Sequence, residues 1–127
     1  MPHTDPGPTP EQVGALVADY LAAWNEPDAA VRSGLLARCW DPAGVYLDPT
    51  VRTQGPAALG EHIGRVQASR PGSYLELVGD VDQHHDVVHF RWRQLRPGRP
   101  PGPVSRDFGQ VGPSGRLVSI TGFFGSD

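Results

Sequence analysis

Few side chains in this sequence are suited to acid–base or metal chemistry, and their neighbours limit what each could do. The densest group is His84, His85, Asp86 and His89. Three imidazoles and a carboxylate suggest a metal site. Adjacent residues on a strand point to opposite faces, however, and His84-His85 falls at a turn, so a shared ion is not expected and no metal is assigned. His62 stands beside Leu59 and Val66 on a helical stretch. It titrates near neutrality and could act as an acid or donor, although a half-buried packing role is the simpler reading. Asp48 directly precedes Pro49, where an aspartate commonly sets a turn through its side chain. Asp107 lies in an alternating run between Arg106 and Phe108, which differ in polarity, so alternation alone does not decide whether its carboxylate is inside or out. Tyr20 falls on an apolar helical stripe, where a tyrosine is ordinarily a core residue with a satisfied hydroxyl.

The elements that would position these groups are legible in the periodicity. Val13, Leu16, Val17, Tyr20, Leu21 and Trp24 recur at helical spacing, and Thr9, Pro10 and Gln12 form a start signal, which predicts a helix from Pro10 to Asn25. After Glu26-Pro27, Asp28 can cap a second helix carrying Val31, Leu35, Leu36, Cys39 and Trp40, ended by Asp41-Pro42. Gly44 to Asp48 reads as a short strand, followed by a polar connection, and Pro56 to Ala68 as a third helix with Leu59, Ile63 and Val66 inward. From Pro71-Gly72 onward the period becomes two. Four long strands are predicted, Ser73 to Val81, His85 to Leu95, Val104 to Val111 and Arg116 to Phe124, with turns at Asp82-Gln83-His84, the proline-rich loop and Gly112-Pro113-Ser114-Gly115. On the second of these, Val88, Phe90 and Trp92 form the core set opposite His89, Arg91 and Arg93; on the last, Ile120, Gly122 and Phe124 share a face. Helices first and an antiparallel meander second predict an α+β domain whose helices cover one sheet face.

Bulk properties narrow the function. The chain of 127 residues has room for one domain, expected over 10–127 behind a flexible tail at 1–9. Eight of its 14 prolines fall within Pro2 to Pro10 and Pro97 to Pro103, which leaves the rest free for regular structure. A formal net charge of −3 and the absence of a basic stripe argue against nucleic acid. No apolar run is long enough to span a membrane and no secretory signal is evident, while Cys39 stands alone, so a cytoplasmic location is expected. No Gly-rich phosphate loop follows a strand, and no cofactor is expected.

Four segments carry a family resemblance: LVADYLAAWN at Leu16 to Asn25, YLDP at Tyr46 to Pro49, the G-x-x-x-L opening at Gly55 to Leu59, and RDFGQVGPSGRLVSITGFFG at the end. In order and spacing they resemble the nuclear transport factor 2-like superfamily, and within it the SnoaL-like polyketide cyclases and ketosteroid isomerases. The resemblance covers the chain from the first helix to Gly125. It implies a cone: a curved antiparallel sheet and three helices from the N-terminal half, enclosing an apolar pocket. Carried over residue by residue, it implies Asp48 as the base and Tyr20 and Asp107 as hydrogen-bond donors. Trp24, Tyr46, His62, Phe90, Trp92, Ile120 and Phe124 would then contact the substrate. Two departures are visible. The stretch from Tyr20 to Asp48 is longer than in the isomerases and that from Asp48 to Gly55 shorter, and His62 and Ile63 stand where the isomerases present aromatic residues.

The chemistry implied by that trio is proton abstraction next to a carbonyl, which creates an enolate whose charge must be held by donors in a dry site. Asp107 can donate only if desolvation keeps it neutral. The substrate would be a small apolar carbonyl compound, isomerised or closed into a ring by aldol chemistry. A non-catalytic pocket for a hydrophobic ligand is the competing reading, and an interaction domain using the outer sheet face is a third. The resemblance also implies a homodimer through that face.

Overall fold

The computed structural model describes residues 7–126, and these form three helices and one six-stranded sheet. Of the stretch read as a tail, residues 1–6 lie outside the described residues. Pro8 accepts a hydrogen bond from the Gln83 side chain (2.9 Å), and Thr9 caps the first helix.

Helix α1 (Pro10–Asn25) starts with a reciprocal capping box between Thr9 and Gln12, so two otherwise orphaned N–H groups are satisfied at its first turn. Its predicted apolar stripe is buried from Val13 to Leu21. Asp28 caps α2 (Ala29–Cys39) by accepting from the N–H groups of Ala30 and Val31. Here the expected stripe is rotated. Val31 is half exposed and Arg32 is buried instead, because the Arg32 guanidinium reaches the carbonyl oxygens of Glu26, Pro27 and Gly60 and the Gln67 side chain. Trp40, expected in the helix, opens strand β1 (Trp40–Asp48).

A second correction concerns the polar connection after Asp48. Val51–Gln54 is a strand, β2, paired antiparallel with β1 across the tight turn at Pro49-Thr50. Its four residues offer no apolar alternation, so only pairing with β1 defines it. Helix α3 (Pro56–Ser69) follows, then β3 (Tyr74–His84), β4 (Val87–Leu95), β5 (Ser105–Val111) and β6 (Leu117–Phe123). The β3–β4 turn sits at His85-Asp86, with His85 at φ 54°, later than expected, and Asp82, Gln83 and His84 belong to the strand.

Strand order is β2-β1-β6-β5-β4-β3. All neighbours are antiparallel except β1 and β6, so the sheet is mixed and not wholly antiparallel. The chain leaves the β1–β2 hairpin through α3, runs the meander, and returns along β1 in the same direction. The sheet curves without closing, helped by register shifts within β1, β3 and β5. In β3 the shift spans Gly79, whose φ of +74° suits glycine and whose missing side chain leaves room for the Arg91 guanidinium. The helices pack on one sheet face, and the core between them holds Trp40, Phe90, Leu117 and Ile120 with the α1 stripe.

Candidate active site

Strands β1, β6 and β5 lie side by side and bring the two candidate carboxylates to one cavity. On β1, Tyr46 and Asp48 are two residues apart and therefore share a face, and the Tyr46 hydroxyl donates to Asp48 Oδ2 at 2.6 Å. The tight turn then brings Thr50 back, whose N–H and hydroxyl both donate to Asp48 Oδ1 at 2.7 Å. Asp48 thus sets the turn and also lines the cavity. Burial pushes its carboxyl up. The Tyr46 and Thr50 hydrogen bonds and nearby His62 outweigh that and hold it below the ordinary carboxylate value.

On β5 the burial alternates strictly, with Ser105, Asp107, Gly109 and Val111 inward. That decides the orientation of Asp107, which sits 4% exposed and lines the cavity. Trp92, on β4, donates its indole N–H to Asp107 Oδ1 at 3.0 Å. Burial pushes Asp107 up to about 7, with the indole opposing the rise and the negative charge of Asp48 assisting it. Between the carboxylates stands Gly122 of β6, paired with Asp107. A Cβ there would lie 2.9 Å from Asp107 Oδ1 and 3.6 Å from Asp48 Cβ, so the glycine opens the notch that holds the Asp107 carboxyl.

Tyr20 stacks on Trp40 (5.9 Å, 23°) and meets Phe90 edge-on (6.1 Å, 71°), so its ring is core. Tyr20 lines the cavity, its hydroxyl is buried without a partner among the described residues, and burial, with Asp107 adding to it, raises its pKa well above that of an ordinary phenol. The Trp24 indole moderates that rise, yet no hydrogen bond of acceptable geometry joins them. His62 Nε2 stands 3.9 Å from Asp48 Oδ2, beyond hydrogen-bond reach. Burial lowers its pKa, Asp48 opposes and Arg65 assists, so the ring is neutral near pH 7.

The cavity measures about 330 Å³, near the lower end of the ~300–1,000 Å³ typical of small-molecule sites. Tyr20, Trp24, Tyr46, Asp48, His62, Trp92, Asp107 and Phe124 all line it. Phe90 and Ile120 do not: both are fully buried in the core, since they lie deeper along their strands than Trp92 and Gly122. Phe124, beyond the end of β6, is half exposed and packs edge-on against Trp92 at the mouth (6.3 Å). Several lining residues escaped sequence reasoning. Arg70 and Gln94 form a hydrogen-bonded pair at 2.7 Å, and Gly102-Pro103 of the proline-rich loop is held by the bond from Gly102 N–H to Gln94 O (2.9 Å). Only Ser105 was within reach, as the inward partner of Asp107 in the alternation. Among the described residues no three His, Cys, Asp or Glu side chains gather as metal ligands, and no helix is long and apolar enough to cross a membrane.

Solved structures place this architecture. A candidate isomerase of the SnoaL-like family from Agrobacterium tumefaciens superposes with a TM-score of 0.86 at 28% identity, covering 91% of this chain and 99% of the other. The chain has the nuclear transport factor 2-like fold. A candidate polyketide cyclase from Sinorhizobium meliloti (TM-score 0.69, 16% identity, 91% and 99% covered) shares this fold. So does a candidate ketosteroid isomerase from Kribbella flavida (0.68, 19%, 92% and 80%). No family model and no curated protein matches the sequence. In this nuclear transport factor 2-like chain the two buried carboxyl groups line one cavity, while Phe90 and Ile120 belong to the core.

Proposed function

We propose that the chain is a cofactor-independent enzyme that moves a proton on a small apolar carbonyl compound, isomerising it or closing a ring by aldol chemistry. One observation carries this reading: two carboxyl groups share an apolar cavity in environments that push their proton affinities apart. Asp48 is held ionised by three donated hydrogen bonds, which lower its basicity. Asp107, up to about 7, matches the affinity that proton transfer near neutral pH requires. Family resemblance assigns the base to Asp48; the physical argument assigns the travelling proton to Asp107 and a fixed charge to Asp48.

In this scheme ionised Asp107 takes the proton from the carbon next to the carbonyl. The electron pair moves onto the carbonyl oxygen, and the Tyr20 hydroxyl holds the enolate so formed. Protonated Asp107 then returns its proton to another carbon, or the enolate carbon attacks a second carbonyl, whose electron pair moves onto its oxygen and takes the proton from Asp107.

Deuterium exchange at the carbon beside the carbonyl of 1-tetralone tests this scheme. Asp107→Asn should lose about 10²- to 10⁴-fold. Asp48→Asn should lose less, and its rate should rise with pH at somewhat lower values than wild type, because burial then raises Asp107 without the added charge of Asp48. Tetralone bound equally by wild type and Asp107→Asn with no exchange in either would leave a ligand-binding pocket instead. We also propose a homodimer through the outer sheet face, where exposed Phe108 and Phe123 pack edge-on at 5.9 Å beside His89. Sedimentation as a monomer at working concentration would remove that.

A further inference from the structure

Away from the carboxyl pair, the described residues that line the cavity include one guanidinium, that of Arg70. It meets the sheet at Gln94. Val88, Phe90, Trp92 and Gln94 alternate along β4 and project from one face; the first two are core, and Trp92 and Gln94 line the cavity. Arg70 closes α3 as its C-cap residue, and its Nη1 donates to Gln94 Oε1 at 2.7 Å. The Gln94 backbone is fixed by pairing with Leu75 and by the bond from Gly102 N–H. Since a guanidinium only donates, the amide must turn its oxygen to Arg70, which leaves its NH₂ group over. Among the described residues that group has no acceptor and Arg70 has no carboxylate partner, whereas Arg38 is paired with Asp19 and Arg93 with Glu76. Arg70 is exposed and Gln94 half-buried, so the pair stands where the cavity meets solvent. An arginine that ends a helix also complements the negative end of its dipole. That role accounts for the charge, but not for an inward-facing amide turned toward it.

One positive charge flanked by neutral amide donors suits a monoanion with two acceptor oxygens, which a guanidinium can meet with parallel N–H bonds. We propose that Arg70 and Gln94 form an anion subsite of the cavity, so that the substrate is a carbonyl compound carrying a carboxylate. A phosphate monoester would bring close to two charges to a single cation and is the poorer match. This rests on the proton-transfer reading and adds the substrate class to it. Register sets the spacing. Asp107 pairs with Phe90, four residues before Gln94 on β4, so the two ends of the site lie roughly 13 Å apart along the strand. Allowing about 3 Å of contact at each end leaves about 7 Å between the carbon that loses its proton and the carboxylate. Trp92 lies between them in the register and lines the cavity, as an apolar ring system would require. The carboxylate takes no part in the chemistry; held at the far end, it positions the acidic carbon beside Asp107.

The probes are 6-carboxy-1-tetralone and its uncharged 6-carboxamide. The acid holds the carbon beside the carbonyl and the carboxylate at opposite ends of its fused rings. Calorimetric titration at pH 8 and low salt should show the wild type binding the acid on the order of 10-fold more tightly than the amide. Arg70→Gln should bring that ratio to about 1. Gln94→Glu sets a carboxylate of the protein against Arg70 and should abolish the preference as well. The proposal is overturned if the wild type binds the acid no more tightly than the amide, or if the preference survives either substitution. An Arg70 that served only the helix dipole would lower the melting temperature in Arg70→Gln and leave the ratio where it was. A preference for the acid without deuterium exchange beside its carbonyl would keep the subsite and sink the proton-transfer reading. Exchange in 1-tetralone with equal affinity for acid and amide would do the reverse.

Discussion

Helix α3 borders two buried polar clusters that are built on opposite terms. Around Arg32, the guanidinium makes five hydrogen bonds to carbonyl oxygens and to the Gln67 amide, and Gln67 itself donates to Trp24 O and Glu26 O. The partners come from the end of α1, the α1–α2 link and α3, so one cation ties three segments together. In the cavity, by contrast, two donors have no partner among the described residues and one carboxyl is held away from its ordinary ionisation. A satisfied buried cluster contributes to the fold. An unsatisfied one beside a cavity costs stability that a ligand can return, and this separates scaffold from site without reference to sequence.

The comparison can be broken most severely at the clamp. Arg32→Met should destabilise the fold by about 4 kcal/mol in urea unfolding, because several buried carbonyl groups lose their donor at once. A loss below about 1 kcal/mol would mean that the clamp is not structural.

Asp107→Asn should act in the opposite direction. The folded carboxyl keeps its proton up to about 7, whereas the unfolded one loses it near 4, so wild-type stability falls as pH rises from about 4 to about 7. Between pH 5 and pH 8 the wild type should lose on the order of 2 kcal/mol more than the variant. Asp48 has the opposite sign: its depressed value contributes stability above the ordinary carboxylate range, lost on acidification. An identical pH dependence in wild type and Asp107→Asn would remove the strained carboxyl.

Tyr20→Phe deletes an unpartnered hydroxyl from a well-packed ring. Thermal unfolding should show stability unchanged or raised by about 1 kcal/mol, while exchange falls by about 10²-fold. A marked loss of stability would return the hydroxyl to the scaffold. Gly122→Ala has a comparably small effect on stability, because the new Cβ meets the movable end of the Asp107 side chain. About 1 kcal/mol should be lost, with up to about 10²-fold in activity from the displaced carboxyl.

Local order was legible because it arises from local rules. The Thr9 capping box, the α1 stripe and the long alternating strands follow from side-chain spacing and backbone geometry within a few residues. Strand β2 was not legible, since Val51 followed by three polar residues becomes a strand only through β1. Neither was the inward turn of Arg32, whose partners lie up to 35 residues away.

The site divides the same way. Its residue types and the order LVADYLAAWN, YLDP, then RDFG, were present in the sequence and led to Tyr20, Asp48 and Asp107. Which way Asp107 points, which donors hold Asp48, and that Phe90 and Ile120 lie behind the cavity were decided by strand register and curvature. Side-chain alternation assigns residues to two faces, but only the packing of helices against one of them makes that face the interior. Burial, and with it the proton affinity of Asp107, is therefore a property of the assembled cone.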